Sequence, residues 1–153
     1  MPSEIERKFL VKGNGWSQGQ GIHIRQGYLN RDKERTVRVR LAGEEAFLTV
    51  KGINIGATRA EYEYPIPVSH AEELLKICDG PVLEKNRYVV DHNGLIWEVD
   101  EFLGENEGLI VAEVELKRED QSFDRPEWVG QEVTDDPRYF NSNLCVHPFR
   151  KWR

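Results

Sequence analysis

Charged residues of one sign alternate with apolar residues along nearly every predicted strand of this chain, beginning with Glu4, Glu6 and Lys8. Successive side chains of a β-strand point to opposite faces, so the alternation places the charges on one face and the apolar side chains on the other. Like charges two positions apart repel each other unless water or a counter-ion separates them. The pattern therefore predicts a sheet whose charged face is either solvated or shaped to hold an ionic ligand.

Length and composition predict a soluble globular protein with one domain spanning residues 1–153, since 39% of the residues are hydrophobic and 31% are charged. The sequence shows neither a membrane-spanning apolar run nor a secretory signal, which predicts a cytoplasmic location and no membrane partner. Cys78 and Cys145 are far apart and lack a CxxC partner, so we expect two reduced thiols. The formal net charge of −6 argues against nucleic acid as a partner.

The predicted secondary structure is mainly β with minor α. Strands are predicted at residues 4–11, 23–29, 36–41, 46–51, 59–66, 82–90, 95–102 and 109–117. One helix is predicted to start at a capping box formed by Ser69 and Glu72, and Gly80-Pro81 ends it. The chain from Glu119 onward is predicted to be irregular, apart from a short helix near Pro137 that Thr134 or a neighbouring Asp would cap.

Eight antiparallel strands allow two architectures. The sheet can close into an eight-stranded barrel with the charged faces inward, which removes the strand edges and leaves a lumen for a small ligand. Alternatively, two sheets can form a sandwich that buries the apolar faces and leaves the charged faces in water. Periodicity alone does not separate the two, and we predict the closed barrel.

In a closed barrel the inward faces would carry more acids than bases. The acids are Glu4, Glu6, Glu61, Glu63, Glu98, Asp100, Glu113 and Glu115, and the bases are Lys8, Arg38, Arg40, Lys51, Lys85 and Arg87. The net negative charge of the lumen would repel an anion, whereas two bound divalent cations would make the net charge positive. Carboxylate ligands select Mg²⁺ or Mn²⁺ over zinc. Basic side chains that converge beside such ions are typical of a polyphosphate clamp.

The segment Glu4-Ile5-Glu6-Arg7-Lys8 resembles the ExExK signature of the CYTH superfamily, the triphosphate tunnel metalloenzymes. The later groups that match this family in order are Arg38-x-Arg40, Lys51, Arg59-x-Glu61-x-Glu63, Lys85-x-Arg87, Glu98-x-Asp100, Glu113-x-Glu115 and the ending Glu132-Val133-Thr134 to Arg138-Tyr139. The resemblance covers essentially the whole chain. It implies an eight-stranded antiparallel barrel with a hydrophilic tunnel, one or two Mg²⁺ or Mn²⁺ ions, and hydrolysis or cyclisation of triphosphates.

The resemblance also implies a role for each charged residue. Phosphate binding falls to Lys8, Arg38, Arg40, Lys51, Lys85 and Arg87, with Arg138 as a further contact. Metal binding, directly or through water, falls to Glu4, Glu6, Glu61, Glu63, Glu98, Asp100, Glu113 and Glu115, one of which should orient the attacking water. Glu4, Glu6 and Lys8 are the predicted catalytic group, whereas Arg25 and Arg59 are predicted to form structural salt bridges.

The function that follows is metal-dependent hydrolysis of the terminal phosphoanhydride of a triphosphate, with inorganic tripolyphosphate as the leading small-molecule substrate. The alternatives are a class IV adenylyl cyclase, a thiamine or nucleoside triphosphatase, and a polyphosphate-binding module without turnover. A barrel with a polar lumen must also turn its apolar residues outward. Because one helix and the chain from Glu119 onward are too short to cover them all, we expect a homodimer packed through the remaining sheet surface.

Overall fold

The computed structural model describes residues 3–152 and shows a closed antiparallel barrel. Its strands are β1 (Ser3–Val11), β2 (Ile22–Asn30), β3 (Arg35–Ala42), β4 (Glu45–Gly52), β5 (Thr58–Pro65), β6 (Leu83–His92), β7 (Leu95–Phe102), β8 (Ile110–Glu115) and β9 (Val129–Glu132), and its helices are α1 (Val68–Lys76) and α2 (Asn141–Leu144). The strand order is β5-β4-β3-β2-β6-β7-β8-β1, and β1 also pairs with β5. The eight-stranded barrel predicted from the sequence is therefore confirmed.

Strand β1 closes the barrel by pairing with three other strands. One edge pairs with β8, with Glu6 opposite Glu115 and Lys8 opposite Glu113. The other edge pairs with β5 near its start and with β9 near its end. The prediction that the chain from Glu119 onward is irregular was wrong at β9. Its four residues include a central glycine and show no alternation of polar and apolar side chains. Gly130 also permits a close approach, since a Cβ there would lie 3.1 Å from the carbonyl oxygen of Leu10.

The apolar faces of the strands point outward and are covered by segments outside the barrel. Phe9, Trp97 and Val114 pack under Trp16 from the loop after β1 and under Trp128 from the segment before β9. Helix α1 covers the outer face of β3 with its own apolar side. The cover is incomplete at β5, where Tyr62 is 36% exposed and Tyr64 is 54% exposed.

The start of α1 differs from the predicted capping box. The helix begins at Val68, and Pro67 occupies the N-cap position without a side-chain hydrogen bond. The Pro67 carbonyl accepts hydrogen bonds from the backbone N–H groups of His70 and Ala71. Ser69 therefore lies inside the first turn, because the extended conformation of the proline (φ −60°, ψ 142°) already directs the chain into the helix.

Residues 133–152, hereafter the tail, fold back over one end of the barrel. A 3-10 turn at Pro137–Tyr139 comes first, and the Asp136 side chain accepts a hydrogen bond from the backbone N–H of Arg138, so the predicted capped turn is present in 3-10 form. The tail side chains then pack against inward-facing apolar residues of the strands, Leu83, Phe102 and Val111. None of the helices within residues 3–152 is long and apolar enough to cross a membrane.

The ion pair between Arg7 and Glu132 joins β1 to β9 on the outer surface, with the Arg7 Nε atom 2.7 Å from Glu132 Oε2. The hydrogen bonds from Arg7 hold the pKa of Glu132 below its ordinary value. Because the folded-state pKa is lowered, this stabilisation is complete above the unfolded pKa of about 4.3 and is lost as the pH falls through the folded value. We expect Glu132→Gln to cost about 1–2 kcal/mol of unfolding free energy at pH 7. Urea titrations should show a smaller difference from the wild type at pH 3 than at pH 7, and an equal difference at both pH values would contradict this role.

Candidate active site

The inward charges line one tunnel through the barrel. Two adjoining cavities make up the tunnel, a narrow inner section of about 70 Å³ and a wider outer section of about 330 Å³. Both sections are lined by Glu4, Glu6, Arg38, Arg40, Lys51, Arg87 and Glu113. The structure therefore brings most of the residues singled out from the sequence to one place.

The two sections differ in charge. The outer section adds four carboxylates, here called the acidic end, which are Glu61, Glu63, Glu98 and Glu115. The inner section adds Lys8 and Lys85 together with neutral polar groups such as Tyr28, Thr36 and Asn141. A ligand that spans both sections would meet carboxylates at one end and cations at the other.

Several tunnel carboxylates are paired with cations. Lys51 Nζ lies 2.6 Å from Glu4 Oε1 and 3.5 Å from Glu61 Oε2. Arg38 Nη2 lies 3.5 Å from Glu63 Oε2. Within residues 3–152, no three acidic, histidine or cysteine side chains are grouped closely enough to hold a metal ion. Glu6 and Glu115 take part in no salt bridge within the described residues, so they are available to ligate a metal ion, whereas the paired carboxylates would have to leave a lysine or arginine partner.

The carboxylates still repel one another in spite of these pairs. Burial and then the charges of Glu113 and Glu4 raise the pKa of Glu6 well above its ordinary value. Burial and the charge of Glu4 likewise raise the pKa values of Glu61 and Glu115. This side of the tunnel has more negative charge than its own lysines and arginines neutralise, which is the electrostatic condition that favours binding of a divalent cation.

Asp100 has a different environment from the other carboxylates. It is 1% exposed, and its two oxygens lie 2.6 Å from Lys85 Nζ and 2.8 Å from Arg87 Nε. Burial opposes its ionisation, but the charges and hydrogen bonds of Arg87 and Lys85 prevail and hold its pKa well below the ordinary value. Asp100 was predicted to be a metal ligand, but it does not line either section of the tunnel and instead neutralises Lys85 and Arg87 behind the lining.

The cations Arg38, Arg40, Lys85 and Arg87, hereafter the basic wall, face the same lumen. Burial lowers the pKa of Arg40 to about 9, and the charges of Arg38 and Arg87 contribute to the shift. The buried Nε atom of Arg38 has no hydrogen-bond partner within the described part of the chain. Mutually repelling guanidinium groups with a free donor form a site for a multiply charged anion.

Two predicted arginine positions differ from expectation. Arg138 lies on the surface beside Asp136 and over the rings of Tyr139 and Trp152, so the structure does not bring it to the tunnel. Arg59, expected to be a salt-bridge partner, lines the inner section and donates hydrogen bonds to the Gly52 carbonyl oxygen and to Thr36 Oγ1. Arg25 does pair with Glu72 at the surface, as predicted.

Sequence reasoning missed several neutral residues of the tunnel. Tyr28 on β2 lines the inner section, and Gln26 is fully buried behind the lining, where it contacts Arg40 and Asn141. Their spacing of two positions is the signal that could have placed both on the inner face. Asn141 lies in the tail, beyond every strand. No periodicity points to it, because its place depends on how the tail folds over the barrel.

Comparison with known proteins agrees with this architecture. The CYTH domain family model matches residues 2–141, and the chain therefore belongs to the CYTH family. A protein named inorganic triphosphatase from Acetivibrio thermocellus is 51% identical over 155 residues, covering 100% of this chain and 99% of that protein. Another inorganic triphosphatase, from Nitrosomonas europaea, is 39% identical over 148 residues, covering 94% of this chain and 97% of that protein. A crystal structure described as an inorganic triphosphatase superposes with a TM-score of 0.67 at 38% identity, covering 95% of this chain and 96% of that one.

Proposed function

We propose that this protein is a metal-dependent triphosphatase that hydrolyses inorganic tripolyphosphate to diphosphate and phosphate. The observation that carries the proposal is the placement of an acidic end and a basic wall along one tunnel. Such an arrangement suits a polyanion accompanied by divalent cations. The acidic end can bind the cations, and the basic wall can bind the phosphate groups. The names of the relatives described above support the same activity.

In this proposal the chain's own residues position and neutralise the substrate. Arg38, Arg40 and Arg87 hold non-bridging phosphate oxygens, joined by Lys8, Lys51 and Lys85. Water attacks the terminal phosphorus, the bridging P–O bond breaks, and diphosphate leaves with the bonding electrons while a proton passes from the water to a tunnel carboxylate or to solvent. Mg²⁺ or Mn²⁺, held by Glu6 and other carboxylates of the tunnel (Glu4, Glu61, Glu63, Glu98, Glu113 and Glu115), would neutralise charge on the phosphate oxygens.

The tunnel lining favours an inorganic substrate over a nucleotide. Its apolar and aromatic side chains are few, namely Tyr28, Ala57, Ile96 and Phe140. Binding sites for a purine ring normally offer a larger apolar or aromatic surface. A chain of phosphates requires only the charged and hydrogen-bonding groups that dominate this lumen.

A substrate panel tests the proposal. Purified protein should release phosphate from tripolyphosphate in the presence of Mg²⁺ or Mn²⁺, and do so faster than from ATP, GTP or thiamine triphosphate. Cyclic AMP formed from ATP would support the cyclase alternative instead. Tight binding of tripolyphosphate without release of phosphate would support the binding-module alternative.

Location and assembly complete the proposal. A cytoplasmic location is consistent with Cys78 and Cys145, which are both free thiols. The exposed outer face of β5, with Tyr62 and Tyr64, is the surface through which a homodimer would pack. Light scattering at micromolar concentration should give twice the mass of the chain, and Tyr64→Lys should shift the mass to that of a monomer. A monomeric mass for the wild type would contradict the dimer.

A further inference from the structure

Asn141, the first residue of α2, brings a side-chain amide from the tail into the tunnel. Its Oδ1 atom accepts hydrogen bonds from Lys85 Nζ at 2.8 Å and from Gln26 Nε2 at 2.9 Å. The Arg40 guanidinium can only donate, so Gln26 presents Oε1 to Arg40 and Nε2 to Asn141. The amide oxygen of Asn141 is therefore the atom that faces Gln26 and Lys85. The Nδ2 group is therefore directed away from both, and it has no hydrogen-bond partner within residues 3–152, while Asn141 itself lines the inner section.

This amide is the central link between two parts of the basic wall. Gln26 is fully buried, and its Oε1 atom accepts a hydrogen bond from Arg40 Nε at 2.9 Å. On the other side of Asn141, Lys85 contacts Asp100, which in turn binds Arg87. A continuous network therefore runs from Arg40 to Arg87 through one tail residue, and each amide in it has a fixed orientation.

We propose that Asn141 is a substrate-positioning residue of the tunnel. It holds Lys85 directly and Arg40 through Gln26, and its Nδ2 group donates a hydrogen bond to an oxygen of the phosphoryl group bound between them. This inference rests on the proposed function, because it assigns the phosphate-binding role to the same tunnel. A neutral donor suits this position, since another cation would add to the repulsion that Arg40 already experiences.

Replacement of Asn141 by aspartate separates this role from simple anchoring of the tail. The carboxylate keeps an acceptor for Lys85 and Gln26, so a purely structural role predicts unchanged or higher stability and only the small loss of affinity that a carboxylate paired with Lys85 causes. The same change replaces the N–H donor with a negatively charged oxygen that faces the phosphate. The positioning role therefore predicts that affinity falls while the folded state remains stable.

Asn143→Asp is the matched control, because it makes the same chemical change two residues further along the tail. Asn143 Nδ2 donates a hydrogen bond to the Pro137 carbonyl oxygen and does not line the tunnel. The control therefore weakens the tail without altering the network. We expect it to lower the melting temperature while the Kd for tripolyphosphate stays within about twofold of the wild type.

The apparent Kd for tripolyphosphate with Mg²⁺ tests the inference, taken from the substrate dependence of phosphate release where the protein turns the substrate over and from isothermal titration where it does not, with the melting temperature measured in parallel. We expect Asn141→Asp to raise the Kd about tenfold or more without lowering the melting temperature. A Kd equal to that of the wild type would overturn the positioning role. If the wild type binds but does not hydrolyse tripolyphosphate, the triphosphatase proposal fails while the comparison of Kd values still decides the role of Asn141. If the wild type does not bind, both proposals are overturned.

Discussion

Asp100→Asn is expected to lower the free energy of unfolding by about 3–5 kcal/mol, since it removes the buried negative charge that both Lys85 and Arg87 contact. Asp100 and Lys85 are each 1% exposed, and the contacts of Asp100 with Lys85 and Arg87 are short. An amide of the same shape has one oxygen, which can accept a weak hydrogen bond from one of the two cations. Its N–H₂ group must then face the other cation, which it cannot neutralise. Urea unfolding at pH 7 measures the loss.

Glu98→Gln is the matched control for this prediction. Glu98 lies two residues earlier on the same inward face of β7, contacts Arg87 at 3.3 Å and has a side chain that is 40% exposed. Its replacement should change the free energy of unfolding by less than about 1 kcal/mol, as is usual for a partly solvated ion pair. Phosphate release should nevertheless fall. Equal stability losses in the two variants would contradict the division of these carboxylates into a structural residue and a functional one.

The stability that Asp100 provides depends on pH through its own ionisation and through that of Lys85. The pKa of Asp100 in the folded state lies well below its ordinary value. The contribution of its own ionisation is therefore complete above the unfolded pKa of about 3.9 and is lost as the pH falls through the folded value. Burial lowers the pKa of Lys85 to about 7, and the charge of Asp100 opposes that shift. Lys85 in the Asp100→Asn variant should therefore lose its proton at a lower pH, and the stability difference between the wild type and Asp100→Asn should shrink as the pH rises toward 7.

Arg40→Met is expected to reduce tripolyphosphate hydrolysis about a thousandfold with little change in stability. Methionine removes a guanidinium that would bind substrate, and it also removes the hydrogen bond to Gln26. Burial and repulsion from Arg38 and Arg87 already disfavour the charged form of Arg40 in the ligand-free protein. The lost hydrogen bond and the relieved repulsion oppose each other, so we expect the free energy of unfolding to change by less than about 1 kcal/mol. Steady-state phosphate release and urea unfolding test the two parts separately.

Arg7→Met provides the opposite control on the outer surface of the barrel. Arg7 binds Glu132 and does not line the tunnel. Its replacement should lower stability and leave phosphate release within about twofold of the wild type. The account would be contradicted if Arg40→Met retained most of the activity, or if Arg7→Met lost as much activity as Arg40→Met.

Much of the fold could be predicted from the sequence because the barrel is built on strict alternation. The pairs Arg38 with Arg40 and Glu113 with Glu115 have the right parity, and their strands carry them to the lumen. The turn Asn93-Gly94 was also predictable, and both residues have positive φ, 53° and 85°, as a tight hairpin requires. These features are local, so a single strand or turn shows them.

Features that depend on three-dimensional packing could not be predicted from the sequence in the same way. Asp100 and Glu98 share a strand face, yet only the depth of the residue in the barrel decides that Asp100 meets two cations. Arg138 matches the family pattern in sequence, but its contact with Asp136 keeps it on the surface. Asn141 has no sequence signal, because it reaches the tunnel only through the fold of the tail.

Metal-dependent hydrolysis is tested most directly by phosphate release from tripolyphosphate, measured on the purified protein with Mg²⁺ or Mn²⁺ and again with excess chelator. The account predicts equal amounts of phosphate and diphosphate when metal is present and no release when the metal is chelated. Glu6→Gln, which alters a carboxylate under strong repulsion from Glu113 and Glu4, should be inactive with either metal. Absence of release by the wild type with both metals, or full activity with chelator, would contradict the account.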